Sequence, residues 1–452
     1  MSNKQATLEL GTKPVGKLLV QYAMPAIVAM TASSLYHVID SIFIGQGVGP
    51  LAISGLALTF PFMNLTAAFG AAVGVGASTC ISVKLGQKDY STAQKILGNT
   101  VALNLIIGIS LSIICIAFLD PILFFFGASE NTLPYARDYM LIILLGNVFS
   151  HMFFGMNAIL RTAGKPRHAM YATIFTVVMN IILAPLFIYT FDMGIAGAAY
   201  ATILSQVMAL VWQMKLLTDK RELLHIRGGT FGLEKSIVQN ILGIGMSPFA
   251  MNVCACVVVI FVNKGLQEYG GDLSLGAYGI ANRMAFIFVM ITMGINQGMQ
   301  PIAGYNFGAQ RMDRLMQVLK YSIIAATVVT TTGFMVAELV PTLCARLFTS
   351  DVTLIGMSAS AIRIIMVTFP IVGFQMVITN FFQSIGKAKI SMFLSLSRQM
   401  LFLLPLLITL PLWFGVDGIW WAMPISDTIA ALVTLVLMAT YMKKFRRKYN
   451  CA

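Results

Sequence analysis

The chain has very few charged residues for its length. Of its 452 residues, 10% are Asp, Glu, Lys or Arg and 58% are hydrophobic, and the mean hydropathy is +0.83. Soluble domains carry about 25% charged residues. This shortage of charge excludes an ordinary soluble protein and predicts a chain that crosses a membrane many times.

The sequence also lacks the motifs of several enzyme classes. It has no GxxxxGK[ST] phosphate-binding loop, no metal-ligand cluster and no catalytic triad, so we predict no enzyme activity and no cofactor. None of the six cysteines forms a CxxC pair, and most lie in apolar segments, where cysteine behaves as a small hydrophobic residue. The first apolar run is too long for a signal peptide.

Apolar runs long enough to cross a bilayer as helices recur along the whole chain. Polar breaks separate twelve of them, which predicts an all-α polytopic membrane protein with twelve transmembrane helices. The spans lie at approximately 17–44, 52–83, 93–118, 135–160, 169–190, 195–217, 237–264, 274–304, 316–341, 354–384, 390–412 and 417–442.

Every second loop is almost free of Lys and Arg. Of the 30 basic residues, 24 lie in alternate polar segments, which are predicted to be cytoplasmic because basic loops stay on that side. Both termini are therefore predicted to face the cytoplasm from the inner (plasma) membrane. Topology explains the net charge of +13, and we expect no nucleic-acid partner.

The two halves of the chain resemble each other at a nearly constant offset. The aligned pairs are Pro25 and Pro248, Gly86 and Gly308, Gly164 and Gly386, and Gly194 and Gly415, at offsets of 223, 222, 222 and 221. Each half has an even number of spans, so the repeats are parallel, as in many secondary transporters. The predicted divisions are a cytoplasmic N-terminus (1–16), an N-lobe (17–217), a cytoplasmic linker (218–236), a C-lobe (237–442) and a basic cytoplasmic tail (443–452).

Asp40, in "SLYHVIDSIFIG" (34–45), lies inside the first apolar run. A carboxylate at membrane depth costs roughly 3 kcal/mol, so it needs a partner or a function. Tyr36 and His37 precede it by four and three residues and share its helical face. Two interpretations stay open: a structural carboxylate bonded to a neighbouring helix, or a carboxylate that binds a proton or a cation. His37 either relays protons or lines a cavity.

The C-terminal half offers fewer ionisable residues in its spans. Spans seven, eight and ten contain no Asp or Glu. Asp427 could pair with Arg398 or Arg283, and we favour a structural role for it because buried charges are usually paired.

The chain resembles the multidrug and toxic compound extrusion (MATE) family, in its prokaryotic DinF-like branch. The resemblance extends from "VIDSIFIG" in span one through "GIANRM" (279–284) and the Gly-Lys turns at 164–165 and 386–387 to "GIWWAMPISD" in span twelve. It implies two six-helix bundles in a V around a central cavity. It also implies export of drugs or toxic organic cations, driven by entry of H+ or Na+.

The resemblance further implies that Asp40 is the coupling acid of the N-lobe and that a binding site surrounds it. Asn180 and Thr202 correspond to family positions in the network around this acid, and Tyr139 and Asn157 correspond to cavity positions. We expect the substrate to contact Tyr36, His37, Tyr139, Asn157 and Asp40. The family usually has an aspartate four residues after the asparagine, where this chain has Ala184.

These features predict a secondary active antiporter, monomeric in the lipid bilayer, that exports amphipathic organic cations by alternating access. One alternative is a lipid-linked oligosaccharide flippase of the same superfamily, which would need several basic residues in its cavity. An intramembrane enzyme would need a nucleophile with a base, or metal ligands, at membrane depth. A passive channel does not account for a repeat with an acid buried in one lobe.

The predicted orientation can be tested by labelling engineered cysteines from outside the cell, in a variant whose native cysteines are replaced. An impermeant maleimide should react at positions in the 45–51 and 190–195 loops and not in the 161–168 loop or after Lys443. External reaction in the tail would contradict the orientation.

Overall fold

The computed structural model describes residues 4–449, without the side chains of residues 4–7, 37–38, 50, 53 and 444–449. Helices fill most of this range. They are α1 (Lys4–Thr12), α2 (Val15–Gly47), α3 (Pro50–Gly86), α4 (Tyr90–Ala117), α5 (Leu119–Phe125), α6 (Leu133–Thr162), α7 (Pro166–Pro185), the π-helical η1 (Leu186–Thr190), α8 (Gly194–Leu217), α9 (Lys235–Gly308), α10 (Met312–Leu339), α11 (Pro341–Arg346), α12 (Val352–Met366), α13 (Phe369–Ser384), α14 (Ala388–Leu396), the π-helical η2 (Ser397–Leu403), α15 (Leu404–Thr409), α16 (Pro411–Phe414) and α17 (Val416–Tyr449).

The described helices account for twelve membrane passes. Ten helical segments are long and apolar enough to cross a bilayer, and the bent pair of α12 and α13 forms another span. One of the ten, α9, has 74 residues and is broken at Gly271, whose φ of 65° is not helical, so it contains two passes. The prediction of an all-α membrane protein with twelve spans is confirmed.

Glycines that align between the two halves adopt the same backbone conformations. Gly164 ends α6 with a φ of 85° and Gly386 ends α13 with a φ of 76°. In both turns the amide of the following lysine donates to a carbonyl five residues earlier, at 2.9 and 2.8 Å, which is the closing bond of a Schellman motif. Gly194 and Gly415 each have a φ of 56°. The repeat in the sequence is therefore also a repeat of local structure.

The chain forms two compact units. The first contains α1 and residues 28–252, and the second contains Pro14–Ile27 and the chain from Val253 onward. One change of unit therefore lies inside α2, after Ile27, and another lies inside α9, after Asn252. The lobe boundaries read from the sequence, 17–217 and 237–442, stay a prediction.

Each unit has its own apolar core. In the first unit the core includes Ile44, Leu123 and Met140, none of which is exposed. In the second it includes Val262 and Ile362, which are likewise fully buried. The helices of each unit are therefore held together by packing of apolar side chains, as well as by their backbone hydrogen bonds.

The linker between α8 and α9 is fixed against the first unit. Glu222 forms an ion pair with Lys165, with 2.7 Å between Oε1 and Nζ, and the two side chains are only 5% and 12% exposed. Asn99 in α4 donates through Nδ2 to the carbonyl of Gly232 at 3.0 Å and accepts from the amide of Glu234 at 2.9 Å. These contacts make the linker part of the first unit.

We predict that Glu222→Gln destabilises the protein, because it leaves the Lys165 ammonium buried without its partner. Loss of one member of a buried pair costs about 3–5 kcal/mol. The unfolding temperature in detergent should fall, and trypsin should cleave the linker at Arg221 faster.

Glu234→Gln is the matched control, since Glu234 pairs with Lys95 at the surface, where the side chains are 48% and 47% exposed. Surface pairs contribute about 0–1 kcal/mol. Equal unfolding temperatures for the two variants would contradict an anchored linker.

Candidate functional site

Five of the predicted site residues lie together in the first unit, on four helices. Tyr36 and Asp40 come from α2, Tyr139 from α6, Asn180 from α7 and Thr202 from α8. The Tyr36 hydroxyl lies 2.9 Å from Thr202 Oγ1, and Asn180 Nδ2 donates to the same oxygen at 3.0 Å. Tyr139 lies beside Thr202, Tyr36 and Asp40. The structure therefore brings these residues into one cluster.

Thr202 is the centre of this cluster. Its hydroxyl donates its single proton to the carbonyl of Ala198 at 3.0 Å, so its oxygen can only accept from the other partners. Asn180 is therefore a donor to Thr202, and so is Tyr36. Because Thr202 is 6% exposed and Asn180 2%, these bonds are protected from competition by water.

Small residues bring these helices close together. A Cβ on Gly146 of α6 would lie 2.4 Å from the Ile203 side chain of α8, and a Cβ on Gly197 of α8 would lie 2.9 Å from the backbone of Phe187. Glycines at helix contacts allow this approach in membrane proteins. Gly146 therefore lets α6 and α8 bring Tyr139 and Thr202 near each other, and Gly197 lets α8 pack against η1.

Asp40 is buried without a cationic partner. It is 5% exposed, and its Oδ1 has no hydrogen-bond partner among the described residues. No described Lys or Arg forms an ion pair with it either. The arrangement gives no support to a structural, ion-paired carboxylate, and it leaves an acceptor that can take a proton or a cation.

Ala184 lies where the resemblance leads one to expect a second acid. It is fully buried in the apolar cluster that also contains Tyr139 and Ile188. Within the described spans of the first unit, Asp40 is the sole buried carboxylate. The chemistry of the cluster therefore depends on one acidic group.

Two predicted residues are not part of the described cluster. The side chain of His37 lies outside the described residues. Asn157 donates from Nδ2 to the carbonyl of Ala169 at 2.9 Å and to Thr173 Oγ1 at 3.2 Å, and its Oδ1 accepts from Arg161. Asn157 thus joins α6 to α7, and its contact with substrate stays a prediction.

Within the described residues, no group of three or more His, Cys, Asp or Glu side chains is arranged to hold a metal ion. The candidate site is therefore built from one carboxylate, hydroxyl groups, an amide and two aromatic rings. Such a set can bind a proton or an organic cation, because phenol rings attract cations at their faces.

Comparisons with known proteins agree with this architecture. The family model described as MatE matches residues 25–186 and 244–409. Multidrug export protein MepA of Staphylococcus haemolyticus (strain JCSC1435) is 27% identical over 93% of this chain and 93% of its own length. A structure of the MATE multidrug transporter DinF-BH, solved as a complex, is 33% identical, covers 98% of each chain and has a TM-score of 0.90. A MATE structure in the bent conformation has a TM-score of 0.93 over 98% of this chain and 99% of its own, and at 24% identity it shows the fold alone.

We predict that Thr202→Val destabilises the first unit, because it leaves the buried Asn180 amide without its acceptor at nearly constant side-chain volume. A buried donor without a partner costs about 1–3 kcal/mol. The measurement is the unfolding temperature of the purified protein. Thr330→Val is the control, since the buried Thr330 hydroxyl bonds only to carbonyls of its own helix. Equal effects of both changes would contradict a special role of Thr202.

Proposed function

Because the chain belongs to the MatE family of transporters, we propose that it exports amphipathic organic cations in exchange for an ion that enters through the same site. The chain is a multi-pass inner-membrane protein and a multidrug efflux transporter, and it is not an enzyme. The proposal adds antiport by alternating access, H+ as the coupling ion, both termini in the cytoplasm, and a monomer as the working unit.

The unpaired carboxylate of Asp40 carries this proposal. A carboxylate buried at membrane depth without a counterion is costly, so it favours any proton or cation that can reach it. A proton and a cationic substrate can each neutralise Asp40. Once one of them is bound, the charge that attracts the other is gone. Competition for one carboxylate is a physical basis for exchange, because the substrate leaves when the proton arrives.

The hydrogen-bonded frame around Thr202 supports the substrate side of the proposal. It holds the Tyr36 hydroxyl, and Tyr139 lies beside the same group and beside Asp40. Two phenol rings near a carboxylate suit an organic cation, since each ring face can contribute about 0.5–2 kcal/mol. The names of two similar proteins, a multidrug export protein and a multidrug transporter, agree with export of drug-like molecules.

The composition of the cluster supports a proton as the coupling ion. Hard cations are held by several oxygen ligands, and this cluster offers one carboxylate because Ala184 replaces the second acid. The Thr202 oxygen already accepts from Asn180 and from Tyr36. We therefore propose one proton for each transport cycle.

Efflux from vesicles tests the proposal. Wild-type protein should drive efflux of a cationic dye under an imposed pH gradient, and a sodium gradient at fixed pH should drive little. Asp40→Asn should fold and insert like the wild type, since no described cation loses its partner, but gradient-driven efflux should fall to background because asparagine imitates the protonated state.

Asp120→Asn is the matched control, because it removes the charge of a carboxylate that pairs with Arg137 at the surface, where it is 44% exposed. This variant should transport nearly as the wild type does. Wild-type efflux rates in Asp40→Asn, or failure of that variant to fold, would remove Asp40 from the mechanism. Strong transport by a sodium gradient at fixed pH would overturn proton coupling, and Ala184→Asp should then increase it.

A further inference from the structure

The second unit contains a buried ion pair that the proposed exchange does not use. Arg398 donates from Nε to Asp427 Oδ1 at 2.7 Å, and Asp427 is 7% exposed. Thr368 donates to the other carboxylate oxygen at 3.4 Å, and the Ser426 hydroxyl donates to the backbone carbonyl of Arg398 at 2.9 Å. Of the two arginines considered as partners of Asp427, the structure pairs it with Arg398.

The pair lies where the backbone departs from regular α-helix. Arg398 is in the π-helical η2, and Thr368 lies at the break where α12 and α13 bend by 49°. Irregular backbone at membrane depth is tolerated where it is buried in protein or lines a water-filled cavity. Such breaks mark binding sites in many transporters, and π-helical turns are frequent at functional sites.

The pair is also near the middle of the membrane. At 1.5 Å for each residue, Arg398 lies roughly 15 Å along the span that begins at Ala388, and Asp427 lies roughly 17 Å along α17. The hydrocarbon core is about 30 Å thick. Two ions at this depth are expensive, and an apolar pair of similar volume is often as stable or more stable. A contribution to folding stability therefore does not explain why the chain has an ion pair at this place.

Only one of the three nitrogens of the Arg398 guanidinium group has a hydrogen-bond partner among the described residues. Its Nε bonds to Asp427, while Nη1 and Nη2 make no hydrogen bond or ion pair with any described residue. The side chain is 33% exposed. A charged group exposed to hydrocarbon would be costly, so we expect the exposed part of this side chain to face a water-filled region. Its two Nη groups present the flat fork of donors that binds a carboxylate.

We propose that Arg398 binds the carboxylate of amphipathic substrates that carry one, and that Asp427 is the positioning residue that holds the guanidinium through Nε. This inference rests on the proposed export function and assigns it a second substrate class, molecules with a free carboxylate. With Asp427 ionised, the pair has no net charge, so the site holds a carboxylate through directed hydrogen bonds and can release it again.

A matched pair of dyes tests the site: a cationic xanthene dye with a free carboxylate, and its ethyl ester. Binding to the purified protein in detergent is measured by fluorescence anisotropy. Arg398→Gln should weaken binding of the acid about tenfold, because a charge-assisted bond is lost, and should leave binding of the ester unchanged. Arg398→Lys, which keeps the charge and loses the fork, should lie between.

Asp427→Asn distinguishes the proposal from a purely structural role by the direction in which binding of the acid changes. Asparagine can still accept from Nε through its Oδ1 and so keep the guanidinium in place, while the charge of the site rises by one, so binding of the acid should tighten. A purely structural ion pair predicts the opposite, because loss of either partner would then weaken both dyes together and lower the unfolding temperature. Arg363→Gln is the control for loss of an arginine in the same unit, since Arg363 lies at the surface, 3.9 Å from Glu338, and is 55% exposed.

If Arg398→Gln alone does not fold, the double change Arg398→Gln with Asp427→Asn removes both charges together, and it should still bind the acid about tenfold less tightly than the wild type. Equal changes for acid and ester, or weaker binding of the acid in Asp427→Asn, would overturn the proposal. The proposed export function would survive that result if the ester is still exported in an Asp40-dependent way.

Discussion

The structure depends on one constraint: the bilayer contains no water to solvate polar groups. Each backbone amide must therefore bond within its own helix, and this requirement accounts for twelve helical passes from a chain with 10% charged residues. The same constraint limits where the helices can be irregular. The π-helical turn η1 directly follows α7, which carries Asn180 of the cluster around Asp40, and η2 holds Arg398 beside Asp427. Both turns thus accompany the intramembrane sites.

The buried carboxylates differ in whether the protein itself neutralises them. Three carboxylates are buried in the described part of the chain: Asp40, Glu222 and Asp427. Glu222 pairs with Lys165 and Asp427 pairs with Arg398, so two of them are neutralised by the protein itself. Asp40 has no cationic partner among the described residues, and in the proposed exchange a proton and a cationic substrate neutralise its charge in turn. The paired acids order the structure around them, and the unpaired acid is the one suited to exchange.

Much of the fold was predictable because its signals are local. Span length and glycines such as Gly164 and Gly386 can be read directly from the chain, and the structure gives this glycine pair matching conformations. The cluster around Asp40 was predictable only through resemblance, since Tyr139, Asn180 and Thr202 are far apart in sequence. The bonds of Asn157 to Ala169 and Thr173 could not be foreseen, because an amide gives no sign of which neighbour it meets. The anchoring of the linker by Glu222 depends on the fold in the same way.

The cost of an isolated charge also bears on how tightly the proposed exchange is coupled. If ionised Asp40 without a counterion is disfavoured by about 3 kcal/mol, the ratio of the unloaded, charged state to a neutralised one is roughly 100-fold lower than for a carboxylate in water. A transporter that changes conformation in that state would carry nothing and waste the gradient. The absence of a cationic partner among the described residues, together with apolar packing at Ala184, lowers the population of this state. A nearby lysine would make the empty, charged site easier to form. In the proposed exchange, the scarcity of charge around Asp40 therefore tightens the coupling, because it favours loading with a proton or a substrate before the conformation changes.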